Sequence, residues 1–182
     1  KLETKNPNDL LTHKRFDAVI KYLYASNLSS DFYKNAYKEH LRVWNGFYEG
    51  TPRKKGFEDF DNAFKSIINN IVDEPVPLND EGHIANGSHR LAAALYHQIP
   101  INIRNTNSDE NYPIECDYKF FIKKNLPSHI LKRTALEYAK LKSNSHVVCL
   151  FPIAHTRIKE VMRIINQYVN VFYQSTVELN ST

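Results

Sequence analysis

Residues 57–103 read FEDFDNAFKSIINNIVDEPVPLNDEGHIANGSHRLAAALYHQIPINI, and the fold turns on this stretch. Phe60, Phe64, Ile67, Ile68 and Ile71 recur at helical spacing, which predicts a helix from Glu58 to about Val72. Pro75-Val76-Pro77-Leu78 reads as a short strand, Asn79-Asp80-Glu81-Gly82 as a tight turn, and His83-Ile84-Ala85-Asn86 as the hairpin partner. Gly87-Ser88-His89-Arg90 then opens an Ala-rich helix from Leu91 to about His97, and Ile99-Pro100-Ile101-Asn102-Ile103 returns as a strand.

Working outward towards the N-terminus, Asn6-Pro7-Asn8-Asp9-Leu10-Leu11 is turn chemistry. Ala18, Val19, Tyr22 and Leu23 mark one face of a first helix starting near Thr12 to Asp17. Ser29-Ser30-Asp31 is a capping cluster for a second helix, whose apolar stripe holds Phe32, Tyr33, Tyr37, Leu41 and Trp44 before Gly46 closes it. Residues 50–56 are expected as a basic exposed loop. Towards the C-terminus, Asn105 to Asn111 is a polar loop and a candidate boundary. Beyond it, a strand at Tyr118 to Ile122, a helix from Pro127 to about Lys142, a strand at His146 to Phe151, a helix at Thr156 to Tyr168 and an extended Val169 to Leu179 make a βαβαβ-like run. The expected class is α/β (α+β): one domain over 1–105, with 25–56 inserted, and a segment over 106–182 that is either incomplete or completes the same domain.

The 182 residues, 42% of them hydrophobic, are enough for a packed core that removes roughly 70% of the unfolded surface from water. Five Gly and eight Pro against ten Phe and eleven Tyr exclude collagen-like and low-complexity classes. No apolar run reaches the roughly 20 residues that cross a bilayer, and Lys-Leu-Glu-Thr-Lys at the start is no secretory leader, so a soluble cytoplasmic chain is expected. Its opening on Lys and its strand-like end are consistent with a piece of a longer protein. Twenty-four basic residues against twenty acidic ones, mixed along the chain, give mild attraction to phosphates and fall short of a nucleic-acid footprint. Cys116 and Cys149 form no disulfide framework and are expected as buried thiols, and the eight His lack metal-ligand spacing.

Chemistry concentrates at Asn86-Gly87-Ser88-His89-Arg90. A helix start exposes unpaired N–H groups and the positive end of the dipole, and Gly87 lets an anion approach the backbone. Ser88 brings a hydroxyl and Arg90 a guanidinium fork suited to phosphate. The plain alternative is an ordinary strand-to-helix turn.

Taken with its surroundings, the 57–103 stretch resembles the ParB/sulfiredoxin-like fold. In that family a helix precedes a hairpin, a Gly-x-His-Arg or Gly-Glu-Arg-Arg box starts the next helix, and a strand follows an x-Ile-Pro-Val-like turn. More loosely, Asn6 to Tyr24 resembles the family's N-terminal segment, and everything after about residue 105 lies outside the likeness. The resemblance implies nucleotide binding, with Gly87, Ser88, His89 and Arg90 cradling phosphates. Sulfiredoxin has Cys where this chain has Ser88, which excludes its sulfur chemistry here. Chromosome-partitioning members carry Glu-Arg-Arg and add a helix-turn-helix domain that residues 105–182 do not offer. The His-Arg form is more similar to the free serine kinases, which implies an ATP- or ADP-dependent kinase, with Mg²⁺, acting on a hydroxyl of an amino acid or sugar.

In those kinases a Glu in the N-terminal segment is the base; here Asp9, His13 and Asp17 occupy the comparable stretch. Asp17, after Arg15 and Phe16, is the first choice as base or metal ligand, with a helix cap as its plain alternative. His89 and His40 complete the catalytic candidates. Arg15, Arg42 and Trp44 are the substrate-binding candidates, His40, Arg42 and Trp44 lying on an inserted helix expected to act as a lid; a Glu39–Arg42 surface pair and a core Trp44 are the plain alternatives. Two other functions stay open: a non-catalytic nucleotide-sensing domain docked to another domain of its parent, and a nucleic-acid-binding protein or nuclease, which the modest charge disfavours.

Overall fold

A computed structural model describes residues 3–48, 54–70, 73–106, 115–143, 157–165 and 167. It is a mixed α/β structure, mostly helical, built on a small sheet. Strand β1 (Glu3–Lys5) runs antiparallel to β3 (Ile101–Asn105), and β2 (Val76–Leu78) runs parallel to β3 on its other side, so the order is β1-β3-β2. Two parallel neighbours need a crossover, and helix α5 (Ser88–His97) supplies it.

The remaining helices are α1 (Pro7–Leu10), α2 (Phe16–Ser26), α3 (Asp31–Asn45), α4 (Phe57–Asn70), α6 (Tyr118–Lys123), α7 (Ser128–Ser143) and α8 (Ile158–Ile165). Local chemistry sets their ends. Asn6 caps α1 by accepting from the Asn8 N–H, with Pro7 at the first helical position, so the segment read as turn chemistry is a helical turn. Ser30 caps α3, and Gly46 closes it in the left-handed conformation at φ 64°.

Helix α2 is the centre of the molecule: nine of its eleven residues are buried, so it has no solvent face. It packs on α3, α5 and α7. On one side Phe16, Val19 and Ile20 join the sheet, α5, α6 and α7 in one core; on the other, Tyr24 meets Tyr37, Phe60, Phe64, Ala92 and Ala93 in a second, aromatic one. Ile130, Leu131, Ala135 and Tyr138 of α7 belong to the first core, so residues 115–143 complete the same packing unit.

Tyr118 to Ile122, expected as a strand, is helix α6. Its aromatic residues favour strands, but Asp117 caps the Phe120 N–H at 2.6 Å, only Phe121 is buried, and Asn125 ends the turn at φ 57°. The hairpin expected opposite β2 shrinks to one bridge, Leu78 with Ile84, because Pro77 has no N–H to extend a ladder and β3 occupies the other edge. The described residues after 106 hold helices α6, α7 and α8 and a lone bridge at Cys116, so the first strand of the expected βαβαβ run is helical. The expected strand at His146 to Phe151, the extended Val169 to Leu179 and most of the Asn105 to Asn111 boundary lie outside the described residues. None of the described helices is long and apolar enough to cross a membrane.

Candidate functional site

The chain enters α2 through a bridge between Arg15 and Cys116, where the Phe16 N–H donates to the Cys116 carbonyl at 3.0 Å. That bridge fixes Arg15 beside the first turn. Its guanidinium grips Asp17 with two bonds, Nε to Oδ1 at 2.9 Å and Nη2 to Oδ2 at 2.8 Å, and Nη1 donates to the Ile84 carbonyl at 3.1 Å. One turn along α2, Lys21 donates to Asp17 Oδ2 at 2.9 Å, and its Nζ lies 2.5 Å from Ser88 Oγ at the start of α5. All four residues are buried.

Two cations and one carboxylate leave this buried cluster one positive charge in excess. Burial pushes the Asp17 carboxyl up, but Arg15 and Lys21 together hold it well below its ordinary range. For Lys21 burial outweighs Asp17, and its ammonium loses its proton more readily than an exposed lysine's. Charge excess in a low-dielectric interior is costly, and an anion or the loss of a proton relieves it.

The structure separates the members of the Gly-Ser-His-Arg box. Gly87 turns at φ 97°, and a Cβ there would stand 3.1 Å from Val76 and 3.2 Å from the Arg90 guanidinium. Beneath that turn Arg90 folds back, donating to the Glu74 carbonyl at 2.7 Å and the Pro75 carbonyl at 3.1 Å and pairing with the Glu74 carboxylate. Through one nitrogen, Nη1, it straps the approach to β2. Arg90 also lines a cavity of about 40 Å³ with Ile67, Ala93, His97 and Asn102, room for one or two waters. His89 points into the aromatic core, its Nε2 2.9 Å from the Tyr37 hydroxyl and its ring 4.9 Å from Phe64. Burial, then Lys21, keeps His89 neutral. Only Ser88 reaches the charged cluster.

On α3, His40 is buried against Phe121 and Trp44, and neither ring nitrogen has a hydrogen-bond partner among the described residues. Burial, then the Lys21 charge, lowers its pKa to about 3. Arg42 points away, chelated on the surface by Glu39 at 2.9 and 2.8 Å. Residues two apart on a helix are turned by about 200°, so His40 and Arg42 do not share a pocket wall as the lid reading required. Trp44 packs half-buried against both cores.

No family model, curated protein or solved structure matches this chain.

Asp17 does not cap α2, where Arg15 holds the cap position, and both Asp17 oxygens are engaged by Arg15 and Lys21. A carboxylate held that acidic is a weak base, and with three donors it is poorly placed to take Mg²⁺. Among the described residues no group of three or more His, Cys, Asp or Glu is arranged for a metal ion. Cys116 is buried and its thiol pushed up to about 12, chiefly by burial, which makes it unreactive. Sequence reading missed Lys21. The signal was present: Lys21 sits i+4 from Asp17 inside Phe16–Ala25, which is otherwise apolar apart from its tyrosines, and a helix apolar all round buries its charges in pairs.

Proposed function

We propose that the chain binds the phosphates of a nucleotide at the start of α5 and transfers a phosphoryl group to a small hydroxyl-bearing acceptor, as a kinase of the ParB/sulfiredoxin-like type using ATP or ADP with Mg²⁺. The observation that carries this reading is the Lys21–Ser88 contact, which joins a buried excess of positive charge to a helix start opened by a glycine with positive φ. The order α4, β2, turn, box, α5, β3 supports it, because it is the order the resemblance implies. In this assignment Lys21 and the first-turn N–H groups of α5 hold phosphate, Gly87 gives access, and Asp17 with Arg15 positions Lys21. Arg90 and His89 support the turn from behind.

Purified chain should melt several degrees higher with ATP or ADP and Mg²⁺, since a ligand at 100 times its Kd adds about 2.7 kcal/mol. Lys21→Met should abolish the shift. A melting point that no nucleotide moves would end the reading.

A second reading, a nucleotide-sensing domain without turnover, is favoured by the engagement of both Asp17 oxygens, which leaves no free carboxylate base in the cluster. Nucleotide shifts without consumption of ATP in the presence of amino-acid and sugar acceptors would select it.

A further inference from the structure

The chain contains two Asn-Gly pairs, Asn45-Gly46 and Asn86-Gly87, and the fold treats them in opposite ways. An asparagine followed by glycine is chemically vulnerable: the next residue's backbone nitrogen can close on the side-chain carboxamide carbon, and glycine puts no side chain in the way. Asn45 is the last residue of α3, and the Gly46 N–H is committed to the Arg42 carbonyl at 3.0 Å. The Asn45 Oδ1 is buried there. At that end of a helix the dipole is negative, which opposes an anion forming on the Gly46 nitrogen.

Asn86 is exposed and stands just ahead of α5. The Gly87 N–H donates to its Oδ1 at 2.6 Å, so the carboxamide carbon lies one bond beyond the atom the nitrogen already touches. Gly87 holds the cap position of α5, at the positive end of the dipole, and the Arg90 guanidinium lies beneath it. Both favour an amide anion on the Gly87 nitrogen and the oxyanion that follows its attack.

We propose that Asn86 is a self-modification site, converted by the Gly87 backbone nitrogen, through a succinimide, to aspartate or isoaspartate. In the step, hydroxide takes the Gly87 amide proton and the nitrogen attacks Asn86 Cγ. The N–Cγ bond forms, the Cγ–Nδ2 bond breaks, and Nδ2 leaves with a proton from water as ammonia. Water then opens the ring at either carbonyl. No oxidant or reductant is needed, and the inference stands apart from the nucleotide reading. Its product puts a new carboxylate at the entrance to the Gly-Ser-His-Arg turn, and in the isoaspartyl form an extra main-chain carbon ahead of Gly87.

The test is to age the full chain at pH 6 and at pH 9, with parallel samples in urea, and to compare positions 45 and 86 by peptide mass spectrometry alongside ammonia release. In the folded protein, position 86 should convert about tenfold faster than position 45 or more, because Gly46 must first break its helical hydrogen bond, and the two rates should converge in urea. Conversion should be faster at pH 9 than at pH 6. Asn86→Gln, whose longer side chain closes a less favoured ring, should remove most of the ammonia released by the folded chain. Equal rates in the folded protein, faster conversion at position 45, or a difference that persists unchanged in urea would overturn the inference.

Discussion

The two sides of α5 handle buried polarity in opposite ways. On the His89 side, the links run mostly between uncharged groups: His89 to the Tyr37 hydroxyl, Tyr37 to the Phe60 carbonyl at 3.3 Å, and neighbouring Tyr24, stacked on Tyr37, to the Asp61 carboxylate at 2.6 Å. The one carboxylate there meets Lys65, whose side chain is 39% exposed. On the Ser88 side the charges are sealed in, and the count does not balance. A balanced network that reaches solvent needs no function to explain it, whereas the unbalanced buried one is the feature on which the proposed phosphate site rests.

The largest effect that tests this contrast is on the acid limb of stability. His40 titrates near 6.5 when unfolded and at about 3 when folded, so its contribution is fully present above pH 6.5 and is lost as pH falls towards 3. That loss is roughly 5 kcal/mol. Asp17, held below its ordinary value of 3.8, contributes stability that begins to go as pH falls past that value and is fully lost only once pH has passed its folded value. Urea unfolding at a series of pH values should show this decline, and His40→Phe, which removes two unpartnered nitrogens, should flatten its upper part without lowering stability at pH 7.

Next in size, Asp17→Asn strands two buried cations and should cost about 3–5 kcal/mol, against about 1 kcal/mol for Asp61→Asn, where Lys65 turns to water. Equal costs in chemical denaturation would break the comparison. Gly87→Ala should lose about 1–3 kcal/mol, because it combines positive φ with a Cβ against Val76 and Arg90. The smallest effect is at Arg42, where Arg42→Ala should leave both nucleotide-induced melting shifts and stability unchanged, since its partner is a surface carboxylate on its own helix.

What the sequence made legible follows from how local the physics is. Helices α3, α4 and α5 carry their caps and their apolar period within a dozen residues, so Ser30, Gly46 and the Phe60–Phe64–Ile68 spacing announced them. Helix α6 did not: an aromatic run favours a strand, and one cap at Asp117 decides otherwise. At the site, Gly87 and Ser88 stood out as a turn before a helix, and Asp17 was named. That Asp17 reaches Ser88 through Lys21 depends on α2 packing against α5, a contact between residues 67 positions apart that no local pattern encodes. Arg42 faces away from the cluster for a local reason, since its offset from the buried His40 turns it outward onto Glu39.

The engulfed α2 has a consequence for biogenesis. Its hydrophobic surface is covered partly by α7, more than a hundred residues later in the chain. During synthesis, Phe16, Val19 and Ile20 stay uncovered on that side until residue 143 has emerged, so a ribosome paused before α7 presents a sticky, charge-bearing helix to chaperones. Nascent chains arrested ahead of Ser128 should be degraded by proteases, and chains arrested well beyond Ser143 should resist them.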